Sequence, residues 1–233
     1  MAVGEAFTPF DRPTHRLIAS RWPTVGVFDD LVDPADAEAA MELEGVTNDR
    51  LTGALGRLAA IPAQDRTVGE QGATIAMAAF LHPSPGGGRF SSELLGAWYA
   101  ACEPETAIQE ALFHHGRRLR ASEGGFPNRI EMREMLSSPQ ASLCDLRGLG
   151  EQRPELYDPA PSHYHRSQQF GENLRGLGAD GIIYDSVRRA GGINIVLFKP
   201  RLAVPVVQGD HYLYTWDSSG TASVARLTNV ARH

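Results

Sequence analysis

Lysine is almost missing from this chain of 233 residues: Lys199 is the one example, and arginine supplies every other basic side chain. Positive charge is also in deficit overall, with 28 acidic against 22 basic residues and a net charge of −6. A protein whose main partner is nucleic acid needs a dense basic field, so that class is disfavoured. Cysteine is scarce too, at two residues, Cys102 and Cys144. They lie too far apart for a CxxC site, and two thiolates cannot close a zinc site. They read as small apolar residues. Long hydrophobic runs are absent: the longest, Ala73 to Leu81, contains Thr74 and is far too short to span a bilayer. The opening MAVGEAFTPFDRP has no basic segment followed by an apolar one, so no signal peptide is expected. No repeat or low-complexity linker divides the chain. The expectation is one soluble, cytoplasmic domain over residues 1–233, with a hydrophobic fraction of 42% that suffices for a core.

What is present gives a coarse map. Thr14 to Ser20 reads as a first strand. Asp33-Pro34 starts a helix, with Asp33 as N-cap and Pro34 at the first helical position, running to about Thr47. Leu43, Val46, Leu51, Leu55 and Leu58 suggest two helical segments, broken near Asn48-Asp49 and ended by Pro62. Residues 33–62 are thus a helical insert ahead of a main body at about 73–230. Ala73 to Leu81 fits a strand or a short buried helix, which periodicity does not separate. Ala97 to Ala101 reads as a strand, and Glu103-Pro104 opens a helix to about Arg120, its terminal arginines suiting the helix dipole. Further strands are expected at Arg129–Leu136, Ala141–Leu146, Gly181–Tyr184, Ile193–Phe198, Val204–Val207, Tyr212–Trp216 and Ala222–Leu227. A helix from about Ser167 to Leu177 interrupts them. Helices early and strands late indicate α+β.

Three places carry chemistry. Gly86-Gly87-Gly88 lets the backbone approach a ligand closely, and Arg89 beside it can grip a phosphate with parallel hydrogen bonds. The run is neither a dinucleotide-binding fingerprint nor a Walker loop, and taken alone it is an ordinary surface turn. Tyr99 lies mid-strand among alanines. Glu110, eleven residues later, flanks the apolar helix face of Ala107, Ile108, Ala111 and Leu112. Such a carboxylate is either a solvated edge or aimed into a cleft. Within the stretch Gly178 to Arg188 an apolar strand delivers Ser186 at its end. Gly191-Gly192 then turns into a strand bearing Asn194, so a hairpin is expected. Histidines occur as HYH and HH, with no HExxH-like spacing, and no metal is expected.

The string GGRFSSELLGAWYAACEPETAIQEALFHH, Gly87 to His115, resembles the RES-domain family, in which a GGR[WF] turn precedes a tyrosine-bearing strand and a glutamate-bearing helix. ADGIIYDSVRRAGGINIVLF, Ala179 to Phe198, resembles that family's second block, whose serine completes an Arg-Glu-Ser set. The resemblance implies catalytic roles for Arg89, Tyr99, Glu110 and Ser186. It also implies a first-strand arginine, with Arg16 the better match and Arg21 the second. The sequence departs at Phe90, where tryptophan is usual, and at Ser91, where asparagine is usual.

The resemblance further implies an ADP-ribosyltransferase-like split β core with an N-terminal helical insert, and a toxin of a type II toxin–antitoxin system that breaks the nicotinamide–ribose bond of NAD. Positive charge then builds on the ribose, as in glycoside hydrolysis, and one carboxylate, Glu110, can face it. Arg16 (or Arg21) and Arg89 would hold the diphosphate, Tyr99 would stack on nicotinamide, Ser186 would position the glutamate or a ribose hydroxyl, and Asn194 would bond the nicotinamide amide. The implied partner is an antitoxin covering the site. The acceptor of ADP-ribose (water, phosphate or a protein side chain) stays open. The rival from another class is a non-catalytic module that binds a nucleotide or a protein on the same fold.

Overall fold

The computed structural model describes residues 6–20, 28–29 and 49–228. The helix expected from Asp33 to Thr47 and the alternative arginine, Arg21, lie outside the described residues. Within them the architecture is mixed: one sheet of nine strands with five α-helices around it. The strands are β1 (Phe7–Asp11), β2 (Thr14–Ala19), β3 (Trp98–Ala101), β4 (Asn128–Ser137), β5 (Gln140–Asp145), β6 (Gly181–Asp185), β7 (Ile193–Leu197), β8 (Val207–Trp216) and β9 (Ala222–Leu227). The helices are α1 (Asp49–Ala59), α2 (Ala73–Leu81), α3 (Pro104–Arg120), α4 (Pro154–Tyr157) and α5 (His165–Gly176). No helix among the described residues is long and apolar enough to cross a membrane.

The sheet order is β1-β5-β6-β7-β3-β2-β4-β8-β9. Pairing is antiparallel except between β5 and β6. A parallel neighbour requires a long crossover, and α4 and α5 form it. The two halves of the sheet meet between β3 and β2 through one registered pair, His15 opposite Ala101. By contrast β2 pairs with β4 along its whole length, from Thr14–Ser137 to Ala19–Met132. Each half has its own core. One lies around Met77, Phe80, Trp98, Leu143, Ile182 and Val196. The other lies under α3, around Ala19, Met132, Tyr212, Tyr214 and Trp216.

The ambiguity at Ala73–Leu81 resolves as helix α2. Ala73, Ala76, Met77, Phe80 and Leu81 are all buried. A helix apolar all round carries no periodic stripe, so its sequence cannot distinguish it from a strand. The expected strand Val204–Val207 does not form as such. A 3-10 turn over Pro200–Leu202 precedes it, the Val206 amide donates to Gln71 O across the fold, and β8 starts only at Val207. Strand β1 was not anticipated.

Helix α3 sets the site. Pro104 occupies its first turn, where a missing N–H costs nothing, and Arg117, Arg118 and Arg120 close its last turn. Ile108, Ala111, Leu112 and Leu119 pack on the second core. Glu110 lies off that stripe, toward the β6–β7 hairpin.

Candidate functional site

The hairpin is tied to the start of α3 by Glu103, whose Oε2 accepts from Ile193 N (3.2 Å) and from Thr106 Oγ1 (2.8 Å). Gly192 permits this approach: a Cβ there would sit 2.5 Å from Thr106 Oγ1. With the hairpin so placed, Glu110 Oε1 accepts from Ser186 Oγ at 2.7 Å and from Asn194 Nδ2 at 2.8 Å. Ser186 Oγ in turn accepts from Arg188 N and Arg189 N at 3.1 and 3.2 Å. Those two backbone donors occupy its acceptor side and leave its proton for Glu110. Asn194 is buried, at 4% exposure. Three residues picked from separate parts of the sequence thus form one network. It holds one oxygen of a carboxylate, while Oε2 has no hydrogen bond among the described residues.

Cross-strand neighbours share a face, and so do alternate residues of a strand. Asn194 is opposite both Tyr184 and Ala101. Tyr184, Asn194, Ala101 and Tyr99 therefore face the side on which Glu110 lies. The glycine turn sits at this face. Gly86 and Gly87 have φ of 77° and 74°, and Gly88 N donates to Ser91 O at 2.8 Å. Tyr99 supports the turn from below. Its hydroxyl accepts from Phe90 N at 2.9 Å and bonds Ser91 Oγ at 3.0 Å. A Cβ on Gly88 would lie 2.6 Å from that hydroxyl, so glycine is required there by close approach. The Tyr99 phenol is raised in pKa, chiefly by burial. Its hydroxyl is committed to the turn, which leaves only the ring for stacking.

Arg89 is 6% exposed. Its Nη1 donates to Leu156 O and Asp158 O, both at 2.9 Å, and Nη2 donates to Tyr164 Oη at 3.2 Å. The guanidinium stacks 4.5 Å over the Tyr164 ring. Arg89 therefore clamps the segment from α4 to α5 against the turn, a duty not legible beside the glycines. Phe90 packs edge-on to Tyr184, with centroids 4.9 Å apart, which joins the turn to the Glu110 side.

Arg16 enters from β2 at the seam of the sheet. Nη1 donates to Tyr99 O at 2.8 Å, and the guanidinium lies 4.9 Å from the Trp98 ring. Its Nε is buried without a hydrogen-bond partner. Burial lowers its pKa to about 10, offset in part by Tyr99 and not by a carboxylate. A half-buried cation with a sealed Nε and one backbone acceptor is suited to receive an anion. One turn after Glu110, His114 is held neutral. Burial first, then Arg118, Arg117, Arg188 and His115, lower its pKa to about 4. Among the described residues no three histidine, cysteine or acidic side chains gather as a metal-binding group.

Sequence reasoning picked Glu110, Ser186, Asn194, Arg89, Tyr99 and Arg16, and it passed over Tyr164 and Tyr184. Tyr184 lies in β6 two residues before Ser186, which directly follows the end of that strand, so the period-2 rule extended by one residue marks it as facing the same way. Tyr164 has no such signal.

This turn–strand–helix frame, closed by a serine-bearing hairpin, matches a family pattern along most of its length. The RES domain model matches residues 64–217, and the chain belongs to the RES domain family. A relative, the uncharacterized protein y4oC of Sinorhizobium fredii (strain NBRC 101917 / NGR234), is 27% identical over 210 residues, covering 88% of this chain and 83% of that protein. Among solved structures, the crystal structure of the M. tuberculosis MbcT–MbcA toxin–antitoxin complex aligns with a TM-score of 0.42 at 11% identity. It covers 88% of this chain and 85% of that one.

Proposed function

We propose that this RES-domain protein is the toxin of a toxin–antitoxin pair and cleaves NAD at the nicotinamide–ribose bond. The observation that carries the reading is the Glu110 carboxylate, fixed through Oε1 by Ser186 and Asn194 with Oε2 unbonded. Departure of neutral nicotinamide leaves positive charge on the ribose. A carboxylate whose orientation is set before the reaction stabilises that charge without reorganising. Nicotinamide leaves readily, so a second carboxylate as general acid is not required. Arg16, half-buried with its Nε sealed and unpartnered, supplies charge for the diphosphate. Arg89 holds the wall formed by residues 156–164 and contributes its field to the same ligand. The Tyr99 ring lies under the turn where nicotinamide would stack. The narrow seam between β3 and β2 supports an ADP-ribosyltransferase-like split core.

The toxin acts in the cytoplasm, where NAD is plentiful, and an antitoxin covers the site. ADP-ribose passes to water, phosphate or a protein side chain. The test is expression in a bacterial host, following growth and NAD together. NAD that falls before growth stops supports cleavage. Arrest with level NAD and one ADP-ribosylated protein supports transfer to that protein. Absence of all three, arrest, NAD loss and a labelled protein, returns the chain to the rival class, a binding module on the same fold.

A further inference from the structure

Tyr184 is buried, at 6% exposure, yet its hydroxyl makes no hydrogen bond to any other described residue. Nor is that oxygen among the polar atoms sealed from solvent. A phenol whose ring is this deep but whose oxygen still reaches solvent can hydrogen-bond a molecule that enters from that side. The neighbourhood shows what kind of partner is missing. Tyr184 is registered opposite Asn194, whose amide holds Glu110. Its ring packs T-shaped against Phe90, the residue after Arg89. Glu110, Tyr99, Arg89 and Tyr164 all act electrostatically on it, and burial, reinforced by Glu110, raises its pKa well above the ordinary phenol value. It therefore stays a neutral hydroxyl, able both to donate and to accept. That suits an alcohol better than a phosphate, for which guanidinium is the better match. Tyr99, by contrast, has spent its hydroxyl on the glycine turn.

We propose that the Tyr184 hydroxyl contacts substrate directly, by hydrogen-bonding a hydroxyl of the nicotinamide ribose held against Glu110. This rests on the NAD-cleaving reading and adds to it a residue that fixes the ribose. Any transfer step is unchanged: the C1′–N bond breaks with its electron pair leaving on nicotinamide, and the ribose hydroxyl only gains an orienting bond.

The test compares wild type with Tyr184→Phe, which keeps the ring against Phe90 and removes only the oxygen. Substrates are NAD and its analogues lacking the 2′- or the 3′-hydroxyl on the nicotinamide ribose. Loss of one neutral hydrogen bond should lower kcat/KM for NAD about 3- to 10-fold. That penalty should vanish for the analogue that lacks the partner hydroxyl. The melting temperature should not fall, because the hydroxyl bonds no described protein group. An active wild type with no penalty in Tyr184→Phe overturns the proposal and leaves NAD cleavage standing. A penalty equal on all three substrates also overturns it, since the phenol would then act only on the protein. A wild type that neither binds nor cleaves NAD overturns both.

Discussion

Replacing Glu110 with glutamine removes charge while keeping shape, and the geometry specifies what should follow. Oε1 accepts from two groups that are both donors, Ser186 Oγ at 2.7 Å and Asn194 Nδ2 at 2.8 Å. The glutamine carbonyl can accept the same two bonds, which forces its amide nitrogen into the place of Oε2. The positive end of the amide dipole then faces the ribose where a negative charge stood. Losing a preorganised electrostatic stabiliser of this kind costs about 10²–10³ in kcat, or about 2.7–4 kcal/mol. Folding suffers less, because the two hydrogen bonds survive in neutral form, and stability should fall by about 1–2 kcal/mol. The assay is nicotinamide release under saturating NAD, paired with a thermal melt. The expected result is a folded protein with kcat reduced at least a hundredfold and KM little changed. A folded Glu110→Gln protein with near-full turnover refutes the assignment of the carboxylate.

Three further outcomes follow from the same structure. Arg16→Met should weaken NAD binding in calorimetry while the melting temperature holds or rises, since burying an under-compensated guanidinium is costly and methionine fills its space; unchanged affinity removes Arg16 from the site. Gly171→Ala should destabilise the fold by about 1–3 kcal/mol and lower activity, because its Cβ would come within 2.1 Å of Phe90 O and push the arginine turn; a wild-type melt and turnover contradict this packing. His114 is lowered from 6.5 to about 4, so between those values the unfolded chain binds a proton that the native one refuses. Stability should therefore be full above about pH 6.5 and fall as pH drops toward 4, and His114→Gln should flatten that slope in denaturant titrations at several pH values. An equal slope in the variant places the pH dependence elsewhere.

Much of the sheet was legible because its strands carry their own signals. β6 opens with Gly-Ile-Ile-Tyr, all four residues buried, as an interior strand requires. β1 was hidden by Pro9, which breaks a strand pattern; it is tolerated because among the described residues β1 is an edge strand paired with β5 alone, so a missing N–H need cost nothing. Val204 to Val207 misled for the opposite reason. Its valines suit a strand, but Val206 is buried in the core and its amide bonds Gln71, a contact made by tertiary packing. At the site, Glu110 and Ser186 were readable from motif order and Asn194 only from its proximity to Ser186 in sequence, and the network joining the three is what the hairpin geometry adds. Arg89 was read as a ligand fork from the glycines next to it. Its contacts with Leu156, Asp158 and Tyr164 come from a segment about 70 residues away, which no local pattern reports.

The central claim is that this chain breaks the nicotinamide–ribose bond. The most direct measurement is free nicotinamide after the purified protein is incubated with NAD, alone, with phosphate and with cell extract. Nicotinamide should appear stoichiometrically with ADP-ribose, ADP-ribose 1″-phosphate or a labelled protein, depending on the acceptor, and Glu110→Gln should slow its release at least about a hundredfold. No nicotinamide release under any of the three conditions, from a folded wild-type protein, would contradict the account.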